Sequence, residues 1–504
     1  MAFALARSAS LLGIHGEPVD IEVHVGAGLP GFTIVGQPDE SCRESRDRVR
    51  AALLSSALPW PNRRVTINLS MRSTVKRGGS GLDLAIAVGL LVVQEVIPQE
   101  TVDRFGFLAE LGLDGSLRSV PGLVPLVAAI DDRRVVVAES AHSSVSVVSG
   151  DRVVGARSLL HVVESLRDAE SWSVPRLEGS VEAPQNDVDL SDVRGQLAAR
   201  RALEIAAAGA HHLLLVGPPG AGKSMLARRI PSIMPPLDAE QSLQSTIIHS
   251  AAHVSMPNGG GVSQAPFRAP HHSVSLTAMV GGGTSSLRPG EISLATNGVL
   301  FLDELGEFAP SVLDALRQPL EEGVVRVARA RHSVELPARF LLVAATNPCP
   351  CGEGTPGVCV CDDRMRMRYF RRFSGPLLDR FDLRVAVTRP DVGDLLDTAP
   401  AESSNEVAKR VARARETSLQ RNGVTNSSLS GELLDRFAPL SVSATQLLRT
   451  HLERGALSGR GFHRIRRVAR TIADLDDAPK VVDEEHVAAA LALRVQLQPA
   501  VRQW

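Results

Sequence analysis

The sequence predicts a multidomain α/β protein: an α+β domain, then a three-layer α/β core, then a C-terminal helical domain. Three observations carry the prediction. The 504 residues exceed one core, since a domain usually takes roughly 100 to 200. After a stretch from Ser171 to Asp189 with two prolines, several acids and no apolar period, apolar strands alternate with helices to about residue 390. From Ser403 onward the strand signal disappears, and helical periods rich in Ala, Leu and Arg run to the end.

Taken in order, residues 1–175 alternate β-like runs such as Ile21-Glu22-Val23-His24-Val25 and Val65-Thr66-Ile67-Asn68-Leu69 with helical stretches such as Ser45 to Leu58, hence an α+β domain. A linker is placed at 176–190, the α/β core at 191–395 and the lid at 396–504, with breaks near Gly423, Gly455 and Pro479. Apolar residues at 44% and charged residues at 22% are ordinary for a soluble globular protein. No run reaches the roughly 18 uninterrupted apolar residues of a membrane helix, and the N-terminus lacks an export signal, so a cytoplasmic protein is expected. With 55 basic against 56 acidic residues, net charge gives no general pull toward nucleic acid. Any polyanion contact has to be a local patch.

The run Gly217-Pro218-Pro219-Gly220-Ala221-Gly222-Lys223-Ser224 fits G-x-x-x-x-G-K-[ST] directly after the apolar stretch Leu213 to Val216. Its glycines let successive N–H groups face the β- and γ-phosphates of a nucleotide, Lys223 adds a point charge, and Ser224 supplies a Mg²⁺ ligand. Further on, Gly298-Val299-Leu300-Phe301-Leu302-Asp303-Glu304 ends an apolar strand in two acids. In ATPases of this kind Asp303 would hold Mg²⁺ through water and Glu304 would polarise the attacking water; alone, such acids are ordinary turn residues. The strand Phe340 to Ala345 ends in Thr346-Asn347, where Asn347 either orients water near the γ-phosphate or simply turns the chain. Arg380, within Gly375 to Asp382, suits a finger reaching a neighbour's γ-phosphate, or a surface salt bridge. Arg460, at the start of the basic helix Gly461 to Ala473, suits a nucleotide contact in cis, with Arg464 and Arg467 competing for that role.

Together with Asp192-Val193-Arg194-Gly195-Gln196, Phe267-Arg268-Ala269-Pro270-His271-His272, Pro289 to Ala295, Asn347-Pro348-Cys349-Pro350-Cys351-Gly352 and Val468 to Ala473, these motifs resemble AAA+ ATPases of the magnesium-chelatase-like YifB/ComM family. The resemblance covers nearly the whole chain. It implies a P-loop AAA+ core using ATP and Mg²⁺, with Asp303 and Glu304 as the Walker B pair, Asn347 as sensor 1, Arg380 as the arginine finger and Arg460 as sensor 2. It also implies a homo-hexameric ring with each nucleotide at a subunit boundary. ComM-type members are DNA helicases that drive branch migration; the namesake chelatases push Mg²⁺ into a porphyrin. The first domain resembles the Lon-protease-like (ribosomal S5 domain 2-like) fold at Leu108 to Gly115 and at Lys76 to Gly81. Ser80 falls at the Lon-like nucleophile, but Leu126 stands where that family keeps its lysine base. An unassisted hydroxyl is a poor nucleophile, so the domain is expected to be non-proteolytic.

Cys349, Cys351, Cys359 and Cys361 form two close pairs in a Gly- and Pro-rich loop, a thiolate set suited to structural zinc or else free cytosolic thiols. Next come Arg364, Arg366, Arg368, Arg371 and Arg372 with Tyr369, Phe370 and Phe373 interleaved, which suits single-strand stacking or a subunit interface. Val324 to His332 reads as a β-hairpin with a basic tip, which in related motors grips DNA in the pore. The glycine-rich segment 259–283, with His271 and His272, is expected to be a second pore insert. The function expected is a Mg-ATP-hydrolysing ring motor acting on single-stranded or branched DNA in recombination or natural transformation. The alternative is a protein-remodelling or chelatase-type ATPase that does not act on DNA.

Overall fold

Alternating apolar residues at the start of the chain build a long antiparallel ribbon from β1 (Ala2–Leu12) and β2 (His15–Gly26), whose register pairs Ala6 with Ile21 and Ala4 with Val23 on the buried face. β3 (Gly31–Val35), β4 (Arg64–Met71), β5 (Phe105–Leu108), β8 (Arg134–Ala138) and β9 (Val153–Ala156) extend it to a mixed seven-stranded sheet ordered β3-β4-β2-β1-β5-β8-β9. β6 (Glu110–Leu111) and β7 (Leu117–Arg118) form a small separate pair. This is the expected α+β unit. The structure is a computed structural model describing residues 2–36, 40–71, 79–168, 171–172, 188–254, 260–283, 287–329, 332–353, 359–373, 375–391, 393, 401–477 and 480–495. Most of the linker placed at 176–190 lies outside the described residues.

Further on, the short runs Leu213–Val216 and Val299–Leu302, wholly apolar and buried throughout, read as central strands of a parallel sheet, and one forms. It contains β10 (Leu213–Val216), β11 (Phe267–Arg268), β14 (Val299–Leu302), β17 (Leu341–Thr346) and β18 (Leu383–Ala386), all parallel, in the order β11-β14-β17-β10-β18. Two excursions leave it. One is the pair β12 (Gly281–Gly282) and β13 (Arg288–Pro289); the other is the hairpin β15 (Val324–Arg329) and β16 (His332–Pro337).

The C-terminal part is helical among its described residues, with helices Ser404–Asn422, Gly431–Phe437, Val442–Glu453, Gly459–Leu475 and Glu484–Ala492. Val407, Val411, Ile465 and Val468 share one core with Leu213, Leu215 and Val343, the helix Leu197–Gly209 packing between this helical unit and one face of the parallel sheet. A buried polar chain adds direction to that apolar contact. His211 bonds Asp382 (3.0 Å) and the Thr471 hydroxyl (2.8 Å), while Asn426 bonds Thr471 and Asp474.

The opposite sheet face, through Leu214, Leu300 and Leu342, packs with Phe373, Phe381 and Ile14. Ile14 belongs to the β1–β2 turn, so the first unit plugs into the core. The turn needs Gly13, which sits at φ +63°, and a Cβ there would meet Val334 Cγ1 of β16 at 2.8 Å. A second seam joins the helix Leu123–Ala129 to the helix Ala239–Ala251: the N–H groups of Gly122 and Val124 donate to the Ser250 carbonyl (3.1 Å) and hydroxyl (3.3 Å). Leu126 is buried on that first helix, so no base stands at this position. Ser80 opens a short 3₁₀ turn, Ser80–Leu82.

Candidate active site

All the strand ends expected to carry chemistry lie along one edge of the parallel sheet. β10 pairs with β17 so that Val216 faces Thr346, and β14 pairs with β17 so that Leu302 faces Ala344. Gly217, Asp303 and Asn347 therefore leave neighbouring strands at the same C-terminal edge, the edge at which open α/β sheets bind ligands. The loop itself needs its glycines. Gly220 and Gly222 adopt φ +77° and +89°, and a Cβ on Gly217 would fall 2.0 Å from the Val387 carbonyl oxygen. Pro218, Pro219 and Ala221 complete the turn, and the helix Lys223–Arg228 follows.

Lys223 Nζ donates to the carbonyls of Gly217 (2.6 Å) and Pro218 (2.9 Å) and to Asn347 Oδ1 (3.2 Å). Burial lowers its pKa from the ordinary lysine value, against the opposing pull of Asp303 and Glu304. The Ser224 hydroxyl donates to Asp303 Oδ2 at 2.5 Å, so an alcohol and a carboxylate converge on one point. Such hard oxygen donors fit Mg²⁺. Glu304 sits beyond, at φ +51°, with an exposed carboxylate 3.5 Å from His272 Nδ1. The sequence places His272 in a glycine-rich segment read as a pore insert. It reaches the catalytic edge because β11 pairs in register with β14, Arg268 facing Leu300. No motif marks a two-residue strand, which is why the sequence did not reveal this neighbour.

Arg380 lies elsewhere. It precedes β18, whose register with β10 sets Leu383 opposite Leu213 and Ala386 opposite Val216. The length of both strands, about 3.3 Å per residue, thus separates Arg380 from its own phosphate loop. In this chain it forms an ion pair with Glu321. Burial, then the nearby Arg464, Arg460 and Arg317 guanidiniums, lower its pKa from the ordinary arginine value. Arg460 is thereby placed beside Arg380, and among the described residues no hydrogen bond or ion pair joins it to the phosphate loop. Arg460 opens the helix Gly459–Leu475, one turn before Arg464. Arg464 is buried and faces Asp379 and Asp382, and Arg467 donates to the Leu429 carbonyl.

The four cysteines do come together: the sulfurs of Cys349, Cys351, Cys359 and Cys361 all lie within 4.8 Å of one another, and none of the four is in a disulfide. The Glu353 N–H, then the Cys349 side chain, push the Cys351 thiol down to about 6. The adjoining helix, Asp363–Arg371, corrects one expectation. Tyr369, Phe370 and Phe373 are buried in the core and packed on one another, and the Tyr369 hydroxyl bonds Thr346 Oγ1 at 3.0 Å. These rings are unavailable for stacking on bases. The hairpin β15–β16 forms as expected, with Val325, Val334 and Leu336 inward, but Arg326 is paired with Glu322 and Glu335. The hairpin tip, residues 330–331, lies outside the described residues.

A five-stranded parallel sheet of this order, with lysine, serine, aspartate, glutamate and asparagine converging at its C-terminal edge, defines a P-loop nucleotide-binding protein of the AAA+ type. The chain matches the family described as magnesium chelatase, subunit ChlI, over residues 189–395, subunit ChlI of Mg-chelatase over residues 21–140, and the ChlI C-terminal family over residues 401–494. It is 44% identical to an uncharacterized protein of Mycobacterium tuberculosis over 98% of this chain and 99% of that one. It is 41% identical to competence protein ComM of Haemophilus influenzae (99% and 98%) and 41% identical to the uncharacterized protein YifB of Escherichia coli (98% and 97%). The chain therefore belongs to the magnesium-chelatase-like AAA+ ATPase family that includes ComM and YifB.

Proposed function

We propose that the protein is a Mg-ATP-hydrolysing ring motor, a homo-hexamer in the cytoplasm that moves single-stranded or branched DNA as a helicase or branch-migration factor. The observation that carries the ATPase reading is the convergence of Lys223, Ser224, Asp303, Glu304 and Asn347 on one sheet edge. Phosphates would lie on the N–H groups of Gly217 to Ser224 with Lys223 between the β- and γ-groups. Ser224 and Asp303 would hold Mg²⁺, which neutralises phosphate charge when bound. Glu304 accepts the proton of the attacking water, and Asn347, tied to Lys223, orients that water.

Arg380 supports the ring. It stands too far along the strands to serve its own nucleotide, so its use requires a neighbour's, with Arg460 beside it. One structural zinc ion at Cys349, Cys351, Cys359 and Cys361 completes the proposed ion complement. The first unit is proposed as a non-proteolytic Lon-like domain, given the buried Leu126. DNA as the substrate is supported by the hairpin β15–β16 and by the name competence protein borne by one relative. The family name supports the second reading, a chelatase-type ATPase that does not act on DNA.

One assay separates them: ATP turnover with and without single-stranded and forked DNA across salt concentrations. Stimulation that fades steeply as ionic strength rises is expected of phosphate-backbone binding. Turnover indifferent to DNA at low salt would favour the second reading.

A further inference from the structure

The cysteine cluster touches the nucleotide machinery directly. Cys349 follows Asn347 by two residues, and the Gly352 N–H closes a turn on the Cys349 carbonyl at 3.0 Å. Gly352 then lies against Pro219 of the phosphate loop: at its φ of +87°, a Cβ would meet Pro219 Cδ at 2.8 Å and Cγ at 3.0 Å. The next residue, Glu353, pairs with Arg389 at 3.1 Å, just beyond the strand that flanks β10. A loop held this way contacts Pro219 from one side and sets Asn347, the acceptor of the Lys223 ammonium, from the other.

The sulfurs sit where one tetrahedral ion would collect them. Cys349 is 3.3 Å from Cys351 and 3.5 Å from Cys359, and Cys351 is 3.5 Å from Cys359. A zinc ion about 2.3 Å from each of four sulfurs sets them about 3.8 Å apart, a small adjustment from these spacings. Cys349 is fully buried and Cys361 nearly so, while Cys351 is exposed, so the site has an inner wall and an entry path. Four thiolates and no oxygen donor favour Zn²⁺ over Mg²⁺ or Ca²⁺.

We infer that one Zn²⁺ bound by Cys349, Cys351, Cys359 and Cys361 braces the phosphate loop through the Gly352–Pro219 contact, so that the metal state of the cluster sets nucleotide affinity. The inference rests on the phosphate loop being the ATP site. Without the ion, Cys349 and Cys351 lose their cross-link to Cys359 and Cys361, and Pro219 and Asn347 lose the surface that positions them. Nucleotide binding then weakens while the parallel sheet, whose core does not include these sulfurs, stays folded.

The experiment uses the full chain purified without chelator, with zinc and iron measured by plasma mass spectrometry and a fluorescent ATP analogue titrated at equilibrium. One zinc per chain is expected. Cys351→Ser with Cys359→Ser should lose zinc, keep the far-ultraviolet circular dichroism of the parent and bind the analogue about tenfold more weakly, the scale of a misplaced supporting shell. Gly352→Ala keeps all four thiols, so it should retain zinc yet bind the analogue more weakly. That variant tests the brace apart from the metal. Iron in place of zinc, or neither metal retained in proportion to the chain, overturns the metal assignment. Zinc-free protein or Gly352→Ala with parental nucleotide affinity overturns the brace. Lys223→Ala should lose the analogue and keep its zinc; if it binds like the parent, the ATP-site reading itself has failed.

Discussion

Replacing Arg380 with alanine isolates the claim that each nucleotide is completed by a second subunit. In the single chain Arg380 is paired with Glu321, and the two side chains are 26% and 54% exposed. An ion pair that open to water is worth about 0.2–1 kcal/mol, so releasing Arg380 toward a neighbouring γ-phosphate costs little. A guanidinium at the transferring phosphoryl group contributes about 10³- to 10⁵-fold in rate, or roughly 4–7 kcal/mol. The second magnitude wins, and the finger is expected to swing when a nucleotide occupies the neighbour. Steady-state ATP turnover of Arg380→Ala should therefore fall by at least about 10³-fold with nucleotide affinity nearly unchanged.

Mixing supplies the sharper assay. Arg380→Ala has an intact phosphate loop and Lys223→Ala an intact finger, so co-assembled rings contain working boundaries, roughly one in four by random assortment. Turnover should reappear on mixing two inactive proteins. Near-parental turnover of Arg380→Ala alone, or a mixture as inactive as its components, would refute the reasoning that the far end of the strands serves another subunit.

His272 is expected to hold the Glu304 carboxylate aside. Because an exposed contact at 3.5 Å is worth at most about 1 kcal/mol, His272→Ala should raise basal turnover up to about fivefold without changing ATP affinity. A fall in turnover would count against that orientation. His212 makes a pH prediction. Its Nδ1 accepts the Leu342 N–H at 3.1 Å, and burial pushes its pKa down from 6.5 to about 4. A histidine depressed in this way contributes stability above pH 6.5 that is lost as pH falls toward 4, since the unfolded chain takes up the proton first. Urea unfolding should show about 2 kcal/mol less stability at pH 5 than at pH 7 from this group. The difference should shrink by that amount in His212→Gln, and an unaltered pH dependence would remove His212 as its cause.

Much of the site was legible because it is written in adjacent residues. Gly217 to Ser224 and Gly298 to Glu304 each combine a buried apolar strand with the chemistry at its end, and both halves of that signal are local. The same locality misled at Tyr369, Phe370 and Phe373. Basic and aromatic residues interleaved in sequence resemble a stacking surface, but on a helix they separate into faces, and the rings went to the core. His272 was missed for the converse reason, since its partner is 32 residues away (304 − 272) across a strand pair only two residues long. The first unit's seating on β16 through Gly13 and Ile14 was likewise invisible, because a glycine in a hairpin turn carries no record of what packs against it.

By itself the sequence determined the glycine-rich loop Gly217 to Ser224, the acid pair, the strand-end position of Asn347, the clustered thiols and the succession of α+β, α/β and helical parts. Each depends on short-range spacing and apolar period. Only the tertiary structure decided that Arg380 stands at the end of the strands remote from its own phosphate loop, that His272 faces Glu304, and that Gly352 rests on Pro219. Those relations follow from strand order and register, which bring distant residues together through burial and cross-strand hydrogen bonds that no local pattern encodes.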